Sequence, residues 1–237
     1  MPAISIVIPT LNEAEELPET LLRAKALDGL HEIIVVDAGS TDATQNIARE
    51  HNCKILQSEP SRGRQLRLGA EKATGEIVLL LHADTWLPEN AASAIAETLA
   101  KPRVIAGAFY KRFRDRGALP GSRLRCWLLW ACTNRLFGDQ AIFVKRTALE
   151  QAGGVPEVPL MEEFELCKAL APRGRLALAP ATILTSARKF REEGTLKTYW
   201  RMARCLTRHA LGASPQRSTE IYYAPSTESH DAHDSKI

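Results

Sequence analysis

The chain predicts an α/β fold: a parallel sheet over roughly its first hundred residues, with helices on both faces. Two observations carry this. Apolar runs at residues 3–9, 32–37, 53–57 and 76–81 read as strands, and the stretches between them read as helices of about ten to fifteen residues, the alternation of right-handed βαβ units. A third bounds it: 237 residues, 45% hydrophobic and 25% charged, suffice for one domain with a full core.

The first strand, residues 3–9, is followed by Asn12, a candidate cap for a helix carrying Leu17, Leu21, Leu22 and Ala24 before the turn at Asp28-Gly29. The second, residues 32–37, leads through Gly39-Ser40-Thr41-Asp42 to a helix ending near His51. Ser40 or Thr41 could cap it, and Asp42 suits its first turn. The third, residues 53–57, passes through Arg62-Gly63-Arg64 to a helix ending near Gly75, and the fourth is residues 76–81.

The second half is less regular. Residues 104–113 read as a strand whose Gly107, Lys111 and Arg112 suit an edge or a bend better than the sheet centre. Residues 123–137, with Leu124, Trp127, Leu128, Leu129, Trp130 and Leu136, predict an apolar helix packed into the core, broken at Gly138-Asp139-Gln140. A short strand at 141–144, a helix at 162–171, a strand at 175–185 interrupted by Pro180 and a last helix at 195–211 follow. Beyond Ser214 few apolar residues remain, so residues 214–237 are expected to be a disordered tail, and His230 and His233 there are a weak metal signal.

His82-Ala83-Asp84-Thr85 places a carboxylate where the fourth strand should leave the sheet. Ligands of α/β sheets bind at the strands' carboxyl ends, and an acid there can hold a divalent cation against a diphosphate. If the segment stays extended, His82 and Asp84 share a face. The tetrapeptide alone reads equally well as a polar turn before a helix opening near Pro88. The loop after the first strand, Pro9-Thr10-Leu11-Asn12-Glu13, lacks the glycines of a dinucleotide fingerprint, and no Gly-x-x-x-x-Gly-Lys-Ser/Thr loop occurs. A bound nucleotide's charge would then fall to a metal at Asp84 and to arginines such as Arg64.

Taken in order, residues 6–13 (Ile-Val-Ile-Pro-Thr-Leu-Asn-Glu), 35–42 (Val-Val-Asp-Ala-Gly-Ser-Thr-Asp), 62–65, 81–85, 138–143 and 161–166 resemble family 2 glycosyltransferases of the GT-A fold, over about residues 3–212. The pattern is most similar to that of small bacterial members lacking membrane helices. The resemblance implies a single GT-A domain over 1–213, with a Rossmann-like mixed sheet, a nucleotide-binding half over about 1–100 and an acceptor-binding half over 101–213. It implies inverting, hexosyltransferase-type transfer from a nucleotide-diphosphate sugar, usually UDP-linked, to an acceptor hydroxyl. Carried over, Pro9, Leu11, Glu13 and Asp37 would line the uracil and ribose pocket, and His82 and Ala83 would flank the donor. Asp84 would bind the metal and Glu163 would be the general base, with Glu162 as its substitute and Asp139 facing the acceptor. Two positions depart from the pattern. His82 stands where an acid is common, a poorer donor for Mg²⁺ but a good one for Mn²⁺. Glu163 stands where an aspartate is usual, and its extra methylene moves the carboxylate by more than about 0.5 Å, the tolerance of catalytic groups. Without the resemblance, Glu162, Glu163 and Glu165 read as a solvated first helical turn, and Asp139 as part of a helix-ending turn.

Residues 187–217 carry eight Lys or Arg against two Glu. Lys197, Arg201, Arg204 and Arg208 form one stripe of the last helix, and Leu196, Tyr199, Trp200, Ala203, Leu206 and Ala210 the other. Such a face is solvated, rests on anionic lipid or grips an acidic acceptor, and the basic stretch 111–125 with Trp127 and Trp130 nearby adds to the lipid reading. Five scattered cysteines without a Cys-x-x-Cys pair argue against a disulfide framework or zinc site, and a net charge of +3 does not suggest nucleic-acid binding. With no secretory or membrane-spanning run, the protein is expected in the cytoplasm, with peripheral contact at the inner face of the membrane. The acceptor, a small molecule, lipid or glycan, and the oligomeric state are not readable. A rival expectation is a non-catalytic nucleotide-sugar or membrane-surface binding module.

Overall fold

In the computed structural model, which describes residues 1–115, 121–158 and 161–210, the four apolar runs become β1 (Ile4–Thr10), β2 (Leu30–Asp37), β3 (Lys54–Gln57) and β4 (Ile77–Leu80). With β5 (Thr85–Trp86), β6 (Val104–Phe113), β7 (Ile142–Lys145) and β8 (Arg175–Thr185) they form one sheet in the order β3-β2-β1-β4-β7-β6-β8-β5. The first four strands pair in parallel, as expected; β7 runs antiparallel to β4 and β6, and β8 parallel to β6, so the sheet is mixed. The expected tail and its histidines lie outside the described residues.

Side-chain alternation along β1 sorts the core into two layers. Ile4, Ile6 and Ile8 face α1 (Leu17–Lys25), α2 (Thr44–Glu50) and α4 (Ala91–Ala100) through Leu17, Leu21, Ala48 and Ile95. Val7 faces the opposite layer, where Leu66 of α3 (Arg62–Lys72), Leu149 of α6 (Arg146–Gln151) and Leu170 of α7 (Glu162–Leu170) pack. Each fully buried Leu or Ile contributes about 1.5–3 kcal/mol, which is why the parallel strands outweigh their weak individual propensities.

Three expectations are corrected. Asn12 does not cap α1: it adopts φ 55°, four residues before the Glu16 N-cap, and its side-chain oxygen accepts from Thr41 N–H at 2.9 Å. Nor do Ser40 and Thr41 cap α2; Asp42 Oδ1 accepts from Thr44 N–H at 2.9 Å, while Ser40 is drawn to Asp37. Strand β6 lies inside the sheet rather than at its edge, because Gly107 admits the Phe143 ring and the Ala177 carbonyl, which a Cβ would approach to 2.5 and 2.8 Å. Pro180 interrupts β8 without ending it, as expected. The strand takes up the proline and Ala181 in a bulge, so that Phe109 pairs with Ala179 and Tyr110 with Thr182.

The apolar helix α5 (Ser122–Thr133) departs furthest. Of its residues only Ser122 and Cys126 are buried; Leu124, Trp127, Leu128 and Leu129 face solvent, against the expected core packing. Leu136, three residues past its end, is fully buried. The short helices α6 and α8 (Arg188–Glu193) and the two-residue β5 carried too little periodicity to be read, and α9 (Thr195–Ala210) closes the described chain.

Candidate active site

The loops leaving β1 and β2 are laced together at the carboxyl edge of the sheet. Asn12 N–H donates to Ser40 Oγ at 2.9 Å, Glu13 N–H to Thr44 Oγ1 at 2.8 Å and Ala14 N–H to Asp42 Oδ2 at 3.0 Å. Beneath them the buried Gln65 donates through Nε2 to the carbonyls of Thr10 and Val36 at 2.9 and 2.8 Å, bracing the ends of β1 and β2. Asp37 is fully buried and its two oxygens accept from Thr10, Gly39, Ser40 and Gln45. Burial alone would raise this carboxyl, but Ser40 and the other donors outweigh it and hold it below its ordinary value.

This edge walls an open cleft of about 310 Å³ lined by Pro9, Leu11, Glu13, Arg62, His82 and Asp84, with Thr10, Gln65 and Ala83 completing it. Seven of the eight residues expected to touch donor or metal therefore border or support one space: Pro9, Leu11, Glu13, His82, Ala83 and Asp84 line it, and Asp37 lies beneath. Arg64 does not line it; exposed on α3, it pairs with Glu157 at 3.7 Å. Arg62, two residues earlier, is the arginine on the cleft wall.

His82 and Asp84 do not share a strand face. The chain turns there, with Thr85 N–H donating to His82 C=O at 3.2 Å, and both side chains reach the cleft from a turn rather than by alternation. Asp84 accepts from Thr85 Oγ1 at 3.2 Å, and burial raises its carboxyl, with Glu16 adding to the effect and Arg188 and Arg114 opposing it. Glu13 is raised too, first by burial and then by Asp84 and Glu16, although Arg188 donates to both its oxygens at 3.0 Å. Carboxylates crowded in this way gain from a cation. Among the described residues no three or more His, Cys, Asp or Glu converge as a protein-only metal cage. The donor set instead fits a cation held by one carboxylate with phosphate oxygens and water completing its shell. His82 Nε2 is already against the Arg62 guanidinium, and burial followed by that positive charge lowers its pKa to about 3, so the ring is neutral.

Behind the cleft lies a smaller chamber lined by Arg62, His82, Gly138, Glu162 and Glu163, with apolar walls from Leu66, Leu80, Ile142, Val155 and Leu166. Arg62 and His82 border both spaces, so the expected base and the expected metal ligand sit on either side of one shared wall. Helix α7 starts after Met161 at φ 65°, which turns Glu162 and Glu163 inward. Arg62 Nε pairs with the buried Glu162 at 2.8 Å. Glu163 is raised to about 7, by burial first and by the Glu162 charge second, against the Arg62 charge and a hydrogen bond from its own backbone. The solvated first turn is therefore not what forms.

The short turn Gly138–Gln140 is held to α7 by Phe137 stacking edge-on to Phe164 at 5.2 Å and by Leu136 N–H donating to Cys167 Sγ at 3.3 Å. Gly138 leaves room for Arg62, whose Nη2 would lie 2.2 Å from a Cβ there. Asp139 pairs with Lys111 of β6, whose ammonium overcomes burial and lowers the carboxyl, while Asp139 Oδ1 has no hydrogen-bond partner among the described residues. Arg62, Gln65, Lys111 and Arg188 were not singled out from sequence as site residues. Only Arg62-Gly63-Arg64-Gln65 carried a signal, and its charge was assigned two residues too far on.

The family model for glycosyl transferase family 2 matches residues 5–148. A dolichol-phosphate mannosyltransferase of Pyrococcus furiosus is 28% identical over 174 residues, 70% of this chain and 46% of that protein. The chain spans under half the length of the curated relatives it matches. Among solved structures, a mannosyltransferase of Pyrobaculum calidifontis with GDP-Man and Mn²⁺ has a TM-score of 0.65 at 24% identity, covering 94% of this chain and 70% of the other. Glucosyl-3-phosphoglycerate synthase of Mycobacterium tuberculosis with Mn²⁺, UDP and its product has a TM-score of 0.62 at 20% identity, covering 89% and 79%. These structures share its fold.

Proposed function

The chain belongs to glycosyl transferase family 2, and from that premise we propose that it moves a sugar, with inversion, from a nucleotide-diphosphate sugar to an acceptor hydroxyl. The observation that carries this reading is the shared wall. Arg62 and His82 divide the open cleft holding Asp84 from the chamber holding Glu163, so a sugar lying at that wall would meet both carboxylates.

In this reading Pro9, Leu11 and Glu13 receive the nucleoside, and Asp37 acts beneath them by fixing the loop 39–45, its oxygens being fully engaged. UDP is the donor nucleotide we favour; UDP and GDP-Man both occur in structures of this fold. Asp84 would anchor a divalent cation, Mn²⁺ or Mg²⁺, with His82 a further donor if it releases Arg62. When bound, the cation neutralises charge growing on the departing diphosphate. Arg62 stands beside the same charge. Glu163 takes the proton as the acceptor oxygen attacks the anomeric carbon and the sugar–phosphate bond breaks. A carboxyl titrating near 7 suits that work at neutral pH. Asp139, with one oxygen unpaired, would accept from the acceptor. On this assignment the donor half is about residues 1–100 and the acceptor half 101–213. Contact with a membrane surface would belong to a separate face.

The test is turnover of UDP-glucose, UDP-GlcNAc and GDP-mannose with Mn²⁺ or Mg²⁺, following donor hydrolysis and transfer. Wild-type turnover lost in Asp84→Ala supports the reading, and full activity in both Asp84→Ala and Glu163→Gln refutes the assigned roles. UDP binding by calorimetry with neither hydrolysis nor transfer across an acceptor panel would favour a non-catalytic binding module.

A further inference from the structure

Helix α5 presents an apolar stripe to solvent rather than to the core. Leu124, Trp127 and Leu128, spaced as one helical face, are 60%, 47% and 45% exposed. Leu196 and Trp200 of α9 are 79% and 61% exposed. The two helices meet at Arg125, which donates to Tyr199 Oη at 3.1 Å with its guanidinium 5.5 Å from the ring centre. Neither helix contains an Asp or Glu, and Arg123, Lys197 and Arg204 stand exposed among the apolar residues. Arg204 lies 5.2 Å over the Trp200 ring, a cation held on an aromatic face.

Singly exposed apolar side chains are ordinary, but a stripe of Leu and Trp flanked by charge of one sign is a docking surface. The charge decides between occupants. Two facing copies of this surface would bring cations against cations, and neither α5 nor α9 carries an acid with which to pair a second basic face; of the two acids that end α8, Glu193 is taken by Arg201 of α9 at 2.7 Å and Glu192 is the one left exposed among the described residues there. An anionic bilayer supplies the complement: Trp settles at the headgroup level, Leu reaches the acyl boundary, and Lys and Arg meet lipid phosphates. No helix of the described residues is long and apolar enough to cross a membrane, so the contact is peripheral.

We propose that the face formed by α5 and α9 docks the protein on an anionic lipid bilayer. This goes beyond the transfer reading and does not depend on it. The face adjoins the acceptor side of the site: Ser122 Oγ, in the first turn of α5, donates to the Lys111 carbonyl at 2.8 Å, and the Lys111 ammonium pairs with Asp139. A bilayer-anchored acceptor would thus arrive beside Asp139.

The test is co-sedimentation of the full chain, without donor, with phosphatidylcholine vesicles carrying about 30% phosphatidylglycerol or none, at about 0.1 M salt. Binding at least about tenfold stronger to the anionic vesicles is expected, falling about tenfold in Lys197→Glu/Arg204→Glu and in Leu124→Ser/Trp127→Ser/Leu128→Ser. The charge pair lies on the surface, so it remains a test even if the triple variant fails to fold, which circular dichroism would show. Equal or absent sedimentation on both vesicle types overturns the proposal. So does a concentration-dependent dimer in light scattering that the triple variant abolishes while vesicles go unbound, since the face would then bind a second copy.

Discussion

Asp37 and Glu163 are both acids on the inner walls of the site, yet their surroundings pull them in opposite directions. Around Asp37 the loop after β2 supplies donors from Gly39 and Ser40, α2 supplies Gln45, and Thr10 comes from β1, so the charged form is stabilised despite complete burial. Around Glu163 the neighbours are apolar walls and a second carboxylate, so the charged form is disfavoured. The surroundings of Asp37 are a satisfied polar network; those of Glu163 hold a carboxyl pushed toward its neutral form. A group that fixes a loop should not change charge, whereas one that exchanges a proton should titrate near working pH.

Glu163→Gln is the sharpest way to break the comparison. Removing a general base lowers turnover by about 10²–10⁴-fold, with UDP affinity by calorimetry unchanged. A loss of donor affinity instead would move Glu163 to the donor side. Asp37→Ala should act on the other quantity. Four residues lose their acceptor, so unfolding stability falls by about 3 kcal/mol, read by thermal or urea denaturation.

The signs of the pH dependence also differ. Glu163 has a folded pKa of about 7 against an ordinary 4.5, so between these values the folded state binds more protons and its contribution to stability falls as pH rises. Asp37, lowered when folded, contributes stability above its unfolded value that is lost only as acid reaches its folded pKa. Glu163→Gln should therefore flatten the stability slope between pH 5 and 8 by roughly 2 kcal/mol, and wild-type turnover should rise through about pH 7. The smallest expected effect is that of Arg64→Ala. Its exposed pair with Glu157 is worth about 0–1 kcal/mol, and turnover should not change; a fall of tenfold would return this arginine to the donor.

The same contrast explains what the sequence made legible. The parallel strands announced themselves because a strand covered on both faces must be apolar along its length, and Asp84 because a carboxylate at a strand's end is chemically conspicuous. Arg62 was missed for Arg64 because which arginine faces the cleft depends on the phase of α3, set by Gly63 and Gln65 packing inward. The exposure of α5 was missed because apolar periodicity states that a face seeks cover without stating what covers it. Neither His82 against Arg62 nor the doubled carboxylate of Glu162 and Glu163 could be weighed before the residues around them were placed.

The two-residue ladder of β5 has a consequence for how the protein comes into being on the ribosome. Thr85 and Trp86, directly after Asp84, pair with Thr185 and Leu184, and Arg188 grips Glu13 from 175 residues downstream. A nascent chain halted near residue 150 would hold β1 to β4 and the laced loops but lack the partner that secures the aspartate and its guanidinium neighbour. The cleft is therefore completed late in translation, when β8 emerges and closes a pocket whose floor was laid first.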